Sequence, residues 1–311
     1  MNGSRELLPG IYVITGPTNV GAVCVRNAEK QDVWLIDSGG SADDGARIYG
    51  ELESLFGKDC FKLKAVINTH SHADHSGGSG WFVKKTGCGV WMSLSEKAGM
   101  ENTLLQSSVA WGGCPPPELQ TPYYVPAQCS VTRTISADDR ITLADGKKLG
   151  FIPLPGHYFG MLGVVCTTPG GKSAVFSGDA VLGRNVIGKF SIPFVYDVGA
   201  FMKSLDTLCN MKTDWYVPSH GDAVTRITET AEMNKIAVLE TIACITSLLT
   251  KRPLTAEELL TAVADENGIP MKLPQYVLIG STLRSYLSYL YTTGRITYVI
   301  ENNRMLWSAK N

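Results

Sequence analysis

The chain has 311 residues, 44% hydrophobic and 18% charged, enough to bury a sizeable core in one large domain or a large and a small one. With 28 lysines and arginines against 29 aspartates and glutamates, its net charge of −1 argues against a generally basic nucleic-acid binder and an acidic disordered tail. No uncharged apolar run approaches the roughly 20 residues that cross a bilayer.

Residues 10–15, 22–26 and 32–37 read as short β-branched or aromatic strands. Residues 42–56 carry helical spacing (Ile48, Leu52, Leu55), with Asp43 and Asp44 near the start and Gly57 past the end. A strand over 63–69 stops at a histidine cluster, followed by a helix over 79–86 and a strand over 88–92. Residues 93–139 interrupt this order with a Pro/Gly/aromatic excursion that suggests a lid or binding loop. Strands return at 140–143, 149–154, 162–167 and 173–177, then a helix at 198–210 and a last strand at 215–219. Mixed sheets with helices on their outer faces are the natural packing for that order. From about residue 227 the pattern changes to helices over 227–249, after Thr255 and over 275–291. Thr255-Ala-Glu-Glu258 resembles a capping box. Residues 295–300 and 304–307 flank Glu301-Asn-Asn303 as a hairpin. Three helices and a hairpin suggest a winged-helix-like domain over 227–311, after a catalytic domain over 1–226.

Residues 1–10 lack the apolar core of a signal peptide. The eight cysteines are scattered with no CxxC pair, as expected of reduced thiols in a cytoplasmic protein.

The informative residue is histidine. There are five, and His70, His72 and His75 fall within six positions, in Thr69-His-Ser-His-Ala-Asp-His75. Directly after a strand, this loop gathers three imidazoles and the carboxylate of Asp74. Such ligands suit zinc, and iron or manganese less selectively. The other two, His157 in Leu154-Pro-Gly-His157 and His220 in Val217-Pro-Ser-His220-Gly, also follow strands, as does Asp179 in Ser177-Gly-Asp179. All five therefore lie at strand-to-loop transitions, where α/β frameworks build sites.

This motif set, in order over residues 10–222, resembles the metallo-β-lactamase-fold hydrolase superfamily. The resemblance implies an α/β fold, an αββα sandwich with a binuclear metal site at one edge of its sheets. It implies that His70, His72 and His157 hold one metal, that Asp74, His75 and His220 hold a second, and that Asp179 bridges them. Two Zn2+ are the expected cofactors, with iron or manganese as alternatives. Asp37, in Ile36-Asp-Ser-Gly39, matches a recurrent position from which a carboxylate orients the ligand loop. The related diiron flavoproteins carry Glu where this chain has His72, so a hydrolase is favoured over oxygen reduction.

The expected reaction is attack by a metal-bridging hydroxide on a thioester, ester or lactone of a small molecule, with Asp74 as both ligand and proton relay. One alternative is a phosphodiesterase or endoribonuclease of the winged-helix-bearing branch; another is a non-catalytic metal-containing regulator. Bulky His157-Tyr-Phe-Gly160, where glutathione-thioester hydrolases usually carry a small residue and Pro-Gly, suggests a more apolar pocket. Trp111, Tyr123 and Tyr124 of the excursion, with Tyr158, Phe190, Phe194 and Tyr196, are expected to wall it. Residues 227–311 carry eight basic and eight acidic residues, a poor clamp for phosphates, so nucleic acid is not the expected partner. The Tyr286, Leu287, Tyr289, Leu290 and Tyr291 stripe points instead to packing, either on the catalytic domain or in a homodimer.

Overall fold

The computed structural model describes residues 3–27, 29–188 and 192–310. Seven strands form one sheet in chain order: β1 (Gly3–Leu8), β2 (Ile11–Thr15), β3 (Val20–Arg26), β4 (Gln31–Ile36), β5 (Phe61–Ile67), β6 (Gly89–Ser93) and β7 (Arg133–Ile135). β1 to β4 are antiparallel, whereas β4 to β7 run parallel. The second sheet holds β8 (Arg140–Thr142), β9 (Lys148–Pro153), β10 (Leu162–Thr167), β11 (Ser173–Phe176) and β12 (Trp215–Val217), in the order β12-β11-β10-β9-β8. A hairpin, β13 (Ile296–Glu301) and β14 (Arg304–Ala309), stands apart; Asn302 and Asn303 both take the positive φ of a type I′ turn.

Ten helices are assigned among the described residues. They are α1 (Ala42–Phe56), α2 (Ala73–Ser76), α3 (Ser79–Thr86), α4 (Leu94–Glu101), α5 (Leu104–Trp111), α6 (Arg184–Ile187), α7 (Val198–Asn210), α8 (Thr228–Lys251), α9 (Ala256–Glu266) and α10 (Leu273–Thr292). Four layers result. α1 and α3 cover the outer face of the first sheet, with Ile48, Leu52 and Phe82 packed on Ile14, Leu35 and Val66. Ser41 caps α1 by accepting from the Asp44 amide. The inner faces meet through Val23, Trp34, Ile67, Phe151, Val164 and Phe176. On the far side, α7 lays Phe201 and Leu205 over Leu154 and Val175. This is the αββα sandwich, and every strand that feeds the histidine loops ends at one edge.

The C-terminal helices share that outer core. Val238, Ile242 and Ile245 of α8 and Tyr286, Leu287 and Leu290 of α10 join one apolar cluster with Phe201 and Leu205. The Tyr/Leu stripe is thus largely spent within the chain, with Tyr291 left 45% exposed. α8 is long and apolar enough to span a membrane, but its buried face packs into this core. α9 begins with the expected capping box between Thr255 and Glu258.

Two elements depart from expectation. β1 joins the sheet edge although Ser4, Arg5 and Glu6 give it a polar reading, because it pairs with β2 along its length. The 93–139 excursion contains two helices and β7 rather than loop alone.

A single shared core predicts that Tyr286→Ala costs about 3–5 kcal/mol, as for other large buried aromatics. Calorimetry should show one unfolding transition shifted down as a whole. A separate transition for residues 227–311, with the other unmoved, would contradict the shared core.

Candidate metal centre

β4 and β5 pair in parallel with Ile36 beside Ile67, so Asp37 emerges next to the start of the histidine loop. Asp37 takes a positive φ of 64°, which turns its carboxylate inward. Asp37 Oδ1 accepts from the Thr69 amide at 2.8 Å, and both oxygens accept from Thr69 Oγ1. Asp37 Oδ2 also lies 2.9 Å from His75 Nδ1. The Thr69 hydroxyl hydrogen is committed to Asp37, so its oxygen accepts from His70 Nδ1 at 3.1 Å. His70 and His75 therefore present Nε2 to the site. The same logic fixes His157, whose Nδ1 donates to the Phe194 carbonyl at 3.1 Å, and His220, whose Nδ1 donates to the Pro17 carbonyl at 2.9 Å.

The ligand atoms fall into two groups, each within 4.8 Å of one another: His70, His72, His157 and Asp74, His75, Asp179, His220. His72 Nδ1 lies 3.0 Å from both His70 Nε2 and His157 Nε2. In the second group Asp74 Oδ2 is 3.0 Å from His220 Nε2 and 3.5 Å from His75 Nε2. Asp179 Oδ2 lies 3.4–3.5 Å from nitrogens of both groups: His75 and His157 at 3.4 Å and His220 at 3.5 Å. It stands between the two groups as a bridging carboxylate would. His75 Nε2 and Asp179 Oδ1 are buried without a hydrogen-bond partner among the described residues. Converging lone pairs and orphaned buried atoms are what a metal site offers, and this donor set fits divalent metals.

The electrostatics divide the same way. Burial drives the His70 imidazole well below its usual range and His72 down to about 3, and it also lowers His157. These three are neutral and ready to coordinate. For Asp179, burial alone would raise the carboxyl, but His220, His75 and His157 outweigh it and keep it ionised. Asp74 is likewise pushed up by burial and pulled down further by His75 and His220. His220, beside Asp179, is raised to about 10 against its own burial, and His75 is raised by Asp74, Asp179 and Asp37.

A metallo-beta-lactamase superfamily model matches residues 13–220. The chain belongs to that superfamily. Superfamily membership and the ligand set make it a metal-dependent hydrolase. Among solved structures, a beta-lactamase domain protein from Burkholderia ambifaria superposes with a TM-score of 0.75 at 16% identity, over 99% of this chain and 93% of that one. A metallo-beta-lactamase family protein from Thermus thermophilus gives 0.68 at 20%, over 98% and 100%. BJP-1, a subclass B3 metallo-beta-lactamase of Bradyrhizobium japonicum, gives 0.53 at 21%, over 70% and 77%. At these identities the structures speak for the fold alone. A search of curated proteins finds no match.

Of the expected wall residues, Tyr123, Tyr124, Tyr158 and Phe194 line the cavity above the ligands. Tyr158 stacks on His72 with ring centroids 4.2 Å apart. Trp111 does not line it: α5 turns Gln106, Val109 and Ala110 toward the cavity and leaves Trp111 42% exposed. Tyr196 is also outside, stacked on Phe159 at 4.1 Å. Phe190 lies outside the described residues.

Sequence reasoning missed Glu96, a lone acidic residue in the excursion. It is buried in the first turn of α4, where Oε2 accepts from the Ser71 amide at 3.0 Å and the Ser71 hydroxyl at 2.7 Å. Oε1 accepts from the Gly160 amide at 2.8 Å. Glu96 thus ties the loop of His70 and His72 to the loop of His157. The approach is close: a Cβ on Gly160 would sit 1.7 Å from Ser95 Oγ. Glu96→Gln must turn an NH2 toward one of these donors. It should weaken metal binding by about 10–100-fold, the usual effect of disturbing a ligand's support. Chelator competition would measure this, and wild-type affinity in the variant would contradict it.

Metal uptake by the group containing His75 and His220 must displace protons, whereas the His70, His72, His157 group has none to lose at neutral pH. Affinity of the first group should therefore rise with pH until His220 loses its proton near pH 10, with proton release seen by calorimetry in buffers of different ionisation enthalpy. The three-histidine group should stay flat above neutrality. Equal pH slopes for both would contradict this division.

Proposed function

We propose that the chain hydrolyses a thioester, ester or lactone of a small molecule, using two metal ions held by the seven ligands. The observation that carries this reading is the cavity over the site, about 1020 Å³ and walled mainly by apolar side chains. Small-molecule sites have that size and lining. Val109 and Tyr124 of the 93–139 excursion form one wall; Leu278 and Ile279 of α10 form another. The C-terminal helices on this reading close the pocket, which favours a compact substrate over an RNA strand. Their balanced charge points the same way.

Divalent metals bound there supply Lewis acidity to the scissile carbonyl and activate water. The chain's own residues orient and exclude. Asp74, with its side chain 47% exposed toward the cavity, accepts a proton from the attacking water and passes it to the leaving group. His220 holds Asp74 in place through the 3.0 Å contact. Tyr158 and Phe194, flanking His72 and His157, keep bulk water from the three-histidine side.

A screen of protein loaded with zinc, manganese or iron tests the reading. Acyl thioesters, lactones and p-nitrophenyl esters should turn over, and Asp74→Asn should lower kcat by at least about 100-fold. Turnover of bis(p-nitrophenyl) phosphate or single-stranded RNA, with all acyl substrates inert, would overturn it in favour of a phosphodiesterase.

A further inference from the structure

The hairpin of β13 and β14 has one guarded edge and one open one. On the β14 side the Trp307 amide donates to the Leu254 carbonyl at 2.8 Å, and the Leu254 amide donates back at 3.0 Å. Trp307 lies opposite Tyr298, so at that pair the backbone bonds of the hairpin point away from the partner strand. Tyr298 therefore aims its own amide and carbonyl outward, and with a period of two so do Ile296 and Ile300. The odd positions face β14: the Lys310 amide donates to the Arg295 carbonyl at 3.0 Å. None of the three outward residues has a backbone hydrogen-bond partner among the described residues.

Proteins ordinarily guard such an edge with charge, proline or a bulge. The outer strands β1, β7 and β8 carry Arg5 and Glu6, Arg133 and Arg140. β13 has no charge, proline or register shift from Ile296 to Ile300, and Val299 and Ile300 stand 46% and 70% exposed. Arg295 and Glu301, both exposed, close its two ends. Arg304, opposite Glu301 in the hairpin, pairs instead with Glu258.

This edge is complementary to itself. Turned antiparallel about Tyr298, a second copy sets Tyr298 opposite Tyr298, Ile296 opposite Ile300 and Arg295 opposite Glu301. Every outward amide and carbonyl then meets a counterpart, because the three outward residues pair among themselves. Arg295 and Glu301 fall at the positions without backbone bonds, where opposed side chains come closest. The two-fold makes two ion pairs from one strand. Moving the axis to Thr297 or Val299 keeps backbone bonds but sets Glu301 opposite Thr293 or Thr297.

We propose that β13 pairs with β13 of a second copy, making the chain a two-fold homodimer joined through a four-stranded sheet. A second copy is the occupant because each end charge finds its opposite in the same strand. On one face the Tyr291, Tyr298 and Trp307 rings, with Tyr298 5.3 Å from Tyr291 and 5.2 Å from Trp307, meet their copies across the axis. The pairing is independent of the hydrolase reading.

Sedimentation of the full-length chain tests it. Wild type should run as a dimer at tens of micromolar. Ile300→Pro removes an outward amide while leaving the bonds to β14, and should give a monomer. Arg295→Glu and Glu301→Arg each set like charges opposite one another and should raise the dissociation constant about tenfold or more. The combined Arg295→Glu/Glu301→Arg variant restores opposite charges and should recover the wild-type constant. Melting temperatures report on folding, and the charge variants keep the test open should the proline loosen the hairpin. A monomeric wild type, its edge free or taken by a strand of another protein, would overturn the proposal. So would a dimer that survives Ile300→Pro, single charge variants without effect, or a folded double variant that fails to recover.

Discussion

Asp37 sits buried at the end of β4, and its two carboxylate oxygens serve three donors on the neighbouring strand's loop: the Thr69 amide, the Thr69 hydroxyl and the His75 ring. Through Thr69 it also fixes His70, so one carboxylate sets the tautomers of a histidine in each ligand group. The parallel pairing of β4 and β5 makes that reach possible, because both strands end at the same edge. Sheet two is tied to the same loop where the Leu162 amide donates to the Thr69 carbonyl. Removing Asp37 would release both halves of the site together.

Around that anchor the fold concentrates groups that a protein interior ordinarily excludes. Asp179, His70 and His75 are all buried, and buried charges are costly unless paired or ligated. Without metal, the protons on His75 and His220 offset the two carboxylates, and the three remaining imidazoles stay neutral. Metal ions would take over the role of those protons. The packing is built to that end: Gly156, at φ 123°, brings the His157 turn so near α7 that a Cβ would lie 2.1 Å from the Phe201 amide nitrogen. Glu96 then locks the His157 loop to the His70 loop. The ligands are thus held by backbone and second carboxylates rather than by their own flexibility.

Much of this was legible because ligand chemistry resides in residue type. His70, His72, Asp74 and His75 share one loop, and His157, Asp179 and His220 each follow a strand, so the strand pattern and the ligand set reinforce each other. α1, α3 and α7 match their expected spans because their apolar spacing and capping residues are local signals. Glu96 was different. Its significance comes from placement across the fold, between Ser71 and Gly160. Spacing along the chain carries no trace of those contacts. Trp111 shows the converse, an aromatic in a promising segment that its helix turns toward solvent. The C-terminal stripe was read as a packing surface, but only the shared core with α7 reveals that it packs on the same chain.

The central claim is that two distinct ligand groups at one sheet edge hold two metals. Anomalous diffraction from metal-loaded crystals, recorded at the absorption edge of the bound metal, tests it most directly. Two peaks are expected, one among His70, His72 and His157 and one among Asp74, His75 and His220, with Asp179 between them. A single peak at full loading, or peaks away from these side chains, would contradict the account.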